Sequence, residues 1–349
     1  MSAHPRLQRF LDEHLPLIER EMYRFLPKQE PATFLYNPMR DYPERGGKRF
    51  RPALVLLACE ALGADKLKAL TTAAAFEILQ SFLLIHDDIE DDSEVRRGKP
   101  CLHKTYGVPL AINVGDFLHA KVYEVLLTNH SSLGWEITRR LIEEMVQVCE
   151  VTCEGQAYDI GWIHEQKVPA VDEFLTMLTK KTGWYSGRGP CRAGGIIAGA
   201  DEEAIEFIGN FGEAIAVAFQ LRDDLLNLTI RSEEANHAPS GMKGRYGKER
   251  GGDIAEGKRT LMIIDLFHRC TEDERHEVAA ILNRDRRQTT QNEVEKVIAL
   301  LHRYGSIHYA QEICEAKAEQ GLSYLDRLPD SETKMMLYEM AEFLIQRSS

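Results

Sequence analysis

The 349-residue sequence has no glycine-, proline- or serine-rich linker to divide it, no internal repeat and no low-complexity tract. A single helical domain spanning residues 1–349 is therefore expected, and a chain of this length buries enough apolar surface to fold without staples. No signal-peptide pattern and no apolar run of bilayer length are evident, so no transmembrane segment is expected. Strict alternation of apolar and polar residues, the mark of a half-buried strand, is also missing. The cysteines number seven, and the pair Cys149 and Cys153, four apart, lacks the second pair that a zinc site needs. Reduced thiols and a cytoplasmic setting are expected. Basic charge is in deficit: 43 Lys and Arg against 55 Asp and Glu leave a net charge of −12, which argues against nucleic acid as a partner. Any anion the protein receives must be met by cations placed locally.

What is present is helical periodicity. Apolar residues recur at three and four over Leu7–Leu26, Ala53–Leu62, Ala111–Leu127, Trp135–Val151, Phe174–Leu178 and Ala204–Leu228. The pattern continues over Leu261–Phe267, Val294–Leu301, Ala310–Leu325 and Lys334–Ile345. Turn residues cluster at Pro27–Pro43, Gly98–Pro109, Asn129–Gly134, Gly161–Pro169 and Pro239–Gly252. The last of these is a polar loop that suits either a lid over phosphates or an ordinary surface connection. The expected fold class is all-α.

Against this background stand two acidic clusters, Asp87-Asp88-Ile89-Glu90-Asp91-Asp92 and Asp223-Asp224-Leu225-Leu226-Asn227. An isolated acidic run is ordinarily a solvated face or a helix N-terminus. Here each cluster follows a core-like apolar stretch, Ala73–Ile85 in one case and Ala214–Phe219 in the other. Asp87 and Asp91 are four apart and share a helix face, and Asp223 and Asn227 repeat that spacing. Carboxylates this close repel one another, and burial would neutralise them unless a cation intervenes. Oxygen donors suit magnesium, which keeps several waters and binds beside substrate phosphates. The pattern points to diphosphate chemistry.

The order of motifs resembles the trans-isoprenyl diphosphate synthases, geranylgeranyl diphosphate synthase-like. Asp87-Asp88-Ile89-Glu90-Asp91 with Arg96-Arg97-Gly98-Lys99-Pro100 is similar to the first aspartate-rich motif of that family. Phe219-Gln220-Leu221-Arg222-Asp223-Asp224 is similar to the second. Gly46-Gly47-Lys48-Arg49-Phe50-Arg51-Pro52 resembles its early basic motif, and Lys181-Thr182 its central pair. Gly247-Lys248, Gly251-Gly252-Asp253 and Gly257-Lys258 resemble its late lysine region.

The resemblance implies an isoprenoid-synthase-type bundle, a homodimer, and head-to-tail condensation of isopentenyl diphosphate with an allylic diphosphate. It implies three magnesium ions, two held by Asp87, Asp88 and Asp91 and one by Asp223, with Asp224 in support. Arg96, Lys181, Lys248 and Lys258 would meet the leaving diphosphate, Lys181 being taken over Lys180 because it precedes Thr182. Thr182 and Gln220 belong to the same substrate wall. Gly47, Lys48, Arg51, Arg97 and Gln80 would form a metal-free pocket for isopentenyl diphosphate. Asn227 departs from the pattern, which more often has Asp there, and implies weaker metal binding at the second cluster. His86, directly before the first cluster, reads as a helix histidine with its own partners rather than a ligand. Phe82 and Leu83, five and four residues before Asp87, are placed to line the tail's tunnel. An aromatic at the first with an aliphatic at the second resembles geranylgeranyl-type enzymes, though Phe82 also suits a plain core position. A farnesyl or longer-chain synthase and a weakly active regulatory subunit share parts of the pattern. A class I cyclase shares the acidic clusters but has no need of the early basic motif.

Overall fold

The computed structural model describes residues 4–229 and 250–345, and nearly all of them are helical. Helix α1 is Pro5–Phe25, and a short π-helical turn, Ala32–Tyr36, leads into α2, Asn37–Glu44. Helices α3, Phe50–Ala61, and α4, Leu70–Glu90, follow. Among the described residues the only strands are β1, Val95–Arg96, and β2, Lys99–Pro100, an antiparallel hairpin pairing Arg96 with Lys99. Next come α5, Leu102–Tyr106; α6, Val108–Thr128; α7, His130–His164; and α8, Val171–Leu178. A ten-residue π-helix, Thr179–Arg188, runs directly into α9, Gly189–Ala198, and then comes the long α10, Glu202–Thr229. The C-terminal part consists of α11, Gly252–Ala255; α12, Leu261–Arg269; α13, Glu272–Leu282; α14, Gln291–Arg303; α15, Ser306–Tyr324; and α16, Glu332–Ile345.

A helix apolar on every side belongs inside, since it has no face to offer to water. Helix α4 fits that description: Thr72 to Leu79, Ser81, Phe82 and Ile85 are all buried, and α1, α3 and α6 pack around it. Helix α10 serves two apolar cores. Its first half gives Ile205, Ile208, Phe211 and Ile215 to the core around α3, α4, α6 and α9. Its second half gives Val217, Leu221, Leu225 and Leu228 to the core around α8, α12, α14 and α15. Each such fully buried side chain contributes on the order of 1.5–3 kcal/mol.

Two expectations are corrected here. Residues 27–43 read as a turn, yet 37–44 form α2; Pro38 lies in its first turn, where a missing amide costs nothing. The sequence gives no apolar run of bilayer length, yet Lys66–Glu90 and Glu202–Leu228 are long and apolar enough to cross a membrane. Two-thirds of each is buried inside the fold, so their apolarity is spent on packing.

The π-helix is seated by glycines. A methyl at Gly155 on α7 would strike the backbone of Lys181, and methyls at Gly187 and Gly212 would each strike the other's backbone. The π-helix is thereby held against α7 and α10 at backbone distance, which fixes where Lys181 starts.

Candidate active site

Both acidic clusters lie toward helix C-termini, with Asp87 and Asp88 in the last turn of α4 and Asp223 and Asp224 two turns from the end of α10. The negative end of a helix dipole disfavours carboxylates in the final turn, so the first cluster needs cations to hold it. The fold supplies them. Asp87, Asp223 and Asp224 line one cavity of about 220 Å³, together with Lys181, Thr182, Arg96, Gln220 and Lys258.

Lys181, from the π-helix, places its ammonium 2.6 Å from Asp159 and 3.5 Å from Asp87. Burial opposes that charge, but Asp159, Asp87 and Asp91 outweigh burial and push the lysine pKa well above its ordinary range. Lys258 stands 2.7 Å from Asp91, 3.1 Å from Glu256 and 3.9 Å from Asp253. Its pKa is raised for the same reason, these three carboxylates and Asp87 outweighing burial. Burial lifts the Asp91 carboxyl to about 6 even with Lys258 beside it. We place the pair as carboxylate and ammonium at neutral pH, since at 2.7 Å each charge is the other's counterion.

Asp88 is fully buried behind this wall. Its Oδ1 accepts from Arg96 Nε at 2.9 Å, and its Oδ2 accepts from the Tyr42 hydroxyl at 2.5 Å. Arg96 also reaches Asp87 at 3.4 Å. On α10, Gln220 donates to Asp224 at 2.9 Å. Asn227 does not line the cavity: it is fully buried, and its Oδ1 accepts the Asp253 amide at 3.3 Å. Its neutral amide thus anchors the start of α11 beneath the late glycine motif.

The early basic motif is brought to the same side but not into this cavity. The Arg97 guanidinium rests on Gly47, where a Cβ would come within 3.1 Å of it. Arg97 donates to the carbonyls of Tyr42, at 3.1 Å, and Gly46, and burial pushes its pKa down to about 10. Arg51 is buried against the π-helix, donating to Ser186 at 2.7 Å and to Tyr185 at 2.9 Å; Tyr185 in turn lines the cavity. Lys48 lies over the Phe343 ring at 5.1 Å, and Gln80 is half-buried on α4 two turns before Asp87. Lys248, and most of the 239–252 loop considered as a lid, lie outside the described residues.

The apolar end of the cavity is walled by Phe82, Leu83, Phe174, Met177 and Leu178. Phe82 stacks on His119 of α6 with ring centroids 4.7 Å apart, and His119 meets Tyr123 at 5.3 Å. His86 has partners, as expected: Nε2 lies 3.4 Å from the Ile112 carbonyl and 3.7 Å from Asp116. All seven cysteines are free.

Sequence reasoning missed several of these residues. Gln156 and Asp159 face the cavity from α7, and Gln156 bonds Glu90 at 2.5 Å. A polar pair three apart beside Gly155 was the available signal. Tyr42 and Glu256 carried none.

The cavity tests whether magnesium fits. Its lining holds six carboxylates, Asp87, Glu90, Asp159, Asp223, Asp224 and Asp253, against four cations, Arg96, Lys181, Lys258 and Arg259. That excess of two negative charges repels a diphosphate unless further cations enter with it. Lys181 and Lys258 already sit between carboxylates as a hard cation would, so the oxygen donor set fits. Among the described residues no three acidic, histidine or cysteine groups converge on one point unaided.

A compact helical bundle with paired acidic clusters over an apolar pocket defines a class of prenyl-diphosphate enzymes. The polyprenyl synthetase family model matches residues 32–301, and the chain belongs to that family. It is similar to a geranylfarnesyl diphosphate synthase from Natronomonas pharaonis, 32% identical over 100% of both chains. It is similar to the structure of a geranylgeranyl pyrophosphate synthetase from Pyrococcus horikoshii, at 33% identity, TM-score 0.86 and 99% of each chain. A third likeness is a geranylgeranyl pyrophosphate synthase from Corynebacterium glutamicum complexed with isoprenyl diphosphate and magnesium, at 25% identity and TM-score 0.85, covering 97% of this chain and 99% of that one. The protein is a trans-prenyltransferase of the isoprenyl diphosphate synthase type, geranylgeranyl diphosphate synthase-like, and it elongates prenyl chains.

Proposed function

We propose that the enzyme condenses isopentenyl diphosphate head-to-tail with dimethylallyl, geranyl or farnesyl diphosphate, using magnesium, and releases geranylgeranyl diphosphate. The observation that carries this reading is the meeting of both acidic clusters on one cavity that ends in an apolar pocket. Asp87, Asp91 and Asp223 are the carboxylates that would hold three magnesium ions, and Asp88 contributes by holding Arg96. When bound, magnesium supplies positive charge that stabilises the diphosphate as it leaves. Lys181, Lys258 and Arg96, with Lys248, bind the same phosphate oxygens, Arg as a fork and Lys as a point charge. Lys181 exchanges Asp159 and Asp87 for phosphate as the substrate enters.

The allylic C–O bond breaks, its electron pair leaving with diphosphate, and the isopentenyl double bond attacks the resulting cation. The proton then lost passes to the released diphosphate. Gly47, Lys48, Arg51, Arg97 and Gln80 hold isopentenyl diphosphate away from the metal, so that it does not ionise. Thr182 and Gln220 shape the allylic side. Phe82 and Leu83 close the tail pocket at twenty carbons. A twenty-five-carbon product is the second reading, favoured by the geranylfarnesyl name of one relative.

In this reading the whole chain acts as one domain, its two cores sharing α10. It works as a cytoplasmic homodimer. Support comes from exposed apolar side chains along α6 and α7, Ile112, Leu127 and Val146 among them, and from seven free thiols suited to a reducing compartment. The test is to incubate the protein with magnesium, isopentenyl diphosphate and each allylic starter, dephosphorylate the products and size them. A twenty-carbon alcohol is expected. No condensation with any starter refutes the reading.

A further inference from the structure

One residue is linked to both diphosphate sites of the proposed reaction without lining the cavity. Tyr42 of α2 is 1% exposed. Its hydroxyl accepts the Leu102 amide at 3.2 Å, so its own proton is directed to Asp88 Oδ2, 2.5 Å away. The other oxygen of Asp88 holds Arg96, the guanidinium on the allylic side. The main-chain carbonyl of the same residue accepts from Arg97 at 3.1 Å, the guanidinium that rests on Gly47 on the isopentenyl side.

A neighbour completes the frame. Arg45, its side chain only 3% exposed, stacks over the Tyr42 ring with 4.5 Å to the centroid. Its guanidinium donates to the carbonyls of Arg96 at 2.7 Å, Pro100 at 2.8 Å and Lys99 at 3.3 Å, and pairs with Asp41. Residues Arg96 and Arg97 lie on a short hairpin of two-residue strands, too small to hold its own shape. Helix α2 therefore supplies the order that the hairpin lacks: Arg45 fixes its backbone, and Tyr42 fixes the carboxylate against which Arg96 is aimed.

We propose that Tyr42 is a positioning residue that sets the spacing of the two substrates, its hydroxyl holding the allylic side through Asp88 and Arg96 and its carbonyl holding the isopentenyl side through Arg97. This rests on the proposed reaction. Because the two links run through different atoms, one substitution separates them. Tyr42→Phe removes the hydroxyl while the ring under Arg45 and the carbonyl under Arg97 remain.

The experiment measures, by calorimetry, binding of isopentenyl diphosphate without metal and of a non-ionising thio analogue of geranyl diphosphate with magnesium, alongside the melting temperature. Tyr42→Phe is expected to weaken the allylic analogue by roughly tenfold or more, the equivalent of one hydrogen bond to a charged group, and isopentenyl diphosphate by less than about twofold. Steady-state kinetics should split the same way, with a raised KM for the allylic substrate alone. Equal weakening of both ligands, or of neither, overturns the proposal, since a merely structural tyrosine affects both sites together. If Tyr42→Phe fails to fold, Asp88→Asn is read the same way; it breaks the same link at its middle member by taking the charge from Arg96, leaves Arg97 on the Tyr42 carbonyl, and a selective allylic loss is again expected. Unaltered protein that binds neither ligand overturns the proposed reaction and this inference with it. Unaltered protein that binds both, with no selectivity in the variants, overturns this inference alone.

Discussion

Under the proposed reaction, the stack of rings on the apolar wall of the cavity predicts what truncating Phe82 does to product length. Phe82 and His119 lie face to face, tilted by 15°, with centroids 4.7 Å apart. Phe82→Ala therefore deepens the pocket by about one ring spacing and exposes the His119 face as the new floor. One isoprene unit adds four carbons along the chain and extends roughly 5 Å at bond lengths near 1.5 Å. The vacated space thus accommodates one further unit and no more. Its five carbons gain about 0.8 kcal/mol each on burial, roughly 4 kcal/mol in all, enough to favour the extra addition strongly. The expected product is a twenty-five-carbon alcohol after dephosphorylation, with Phe82→Ala/His119→Ala going further. The cost to stability lies at or below the low end of the about 3–5 kcal/mol typical of Phe→Ala, because Phe82 is 9% exposed at a cavity edge. Sizing the products with farnesyl diphosphate as starter decides the matter. A product of unchanged length refutes the floor, and unlimited lengthening in the single variant refutes the role given to His119.

Two further outcomes follow from the ion pairs. Arg49 and Glu77 form a pair with both side chains 2% exposed, so Glu77→Gln leaves a buried guanidinium with only the partly exposed Glu19 carboxylate, 3.3 Å away, and should cost about 3 kcal/mol of unfolding free energy in urea; a loss under about 1 kcal/mol contradicts this. The Glu274 carboxyl is held down to about 2 by the Tyr304 hydroxyl and the Thr271 cap, so its contribution is present above its ordinary pKa of 4.5 and is lost as pH falls from there toward 2. Glu274→Gln should flatten the fall in melting temperature over that acid range, and an unchanged slope counts against the cap.

Much of the architecture was legible because the two central helices announce themselves. An unbroken apolar run ending in carboxylates has few explanations, and α4 and α10 bear it out in their burial. Helix α2 was not legible because its prolines read as a turn, although Pro38 starts a helix as readily as it ends one. Helix α13 was hidden by its charges, yet Thr271 followed by Glu274 is a capping box, and both halves of that box are made. Nothing in local sequence marks the π-helix. The close approach that seats it depends on Gly155, Gly187 and Gly212, which are far apart in the chain. The candidate site divides along the same line. Its carboxylates and lysines form local motifs, whereas Tyr42, Arg45 and Glu256 act across long sequence separations on atoms that no motif specifies.

The two lysines seated among the acidic residues bear on how the protein is handled at the bench. In many metalloproteins the ligands repel one another once the ion is stripped, and chelation unfolds the chain. Here Lys181 and Lys258 already act as counterions for Asp159, Asp87, Asp91 and Glu256. The fold carries its own replacement charge, so purification in chelator should yield an intact protein whose melting temperature matches that of protein never exposed to chelator.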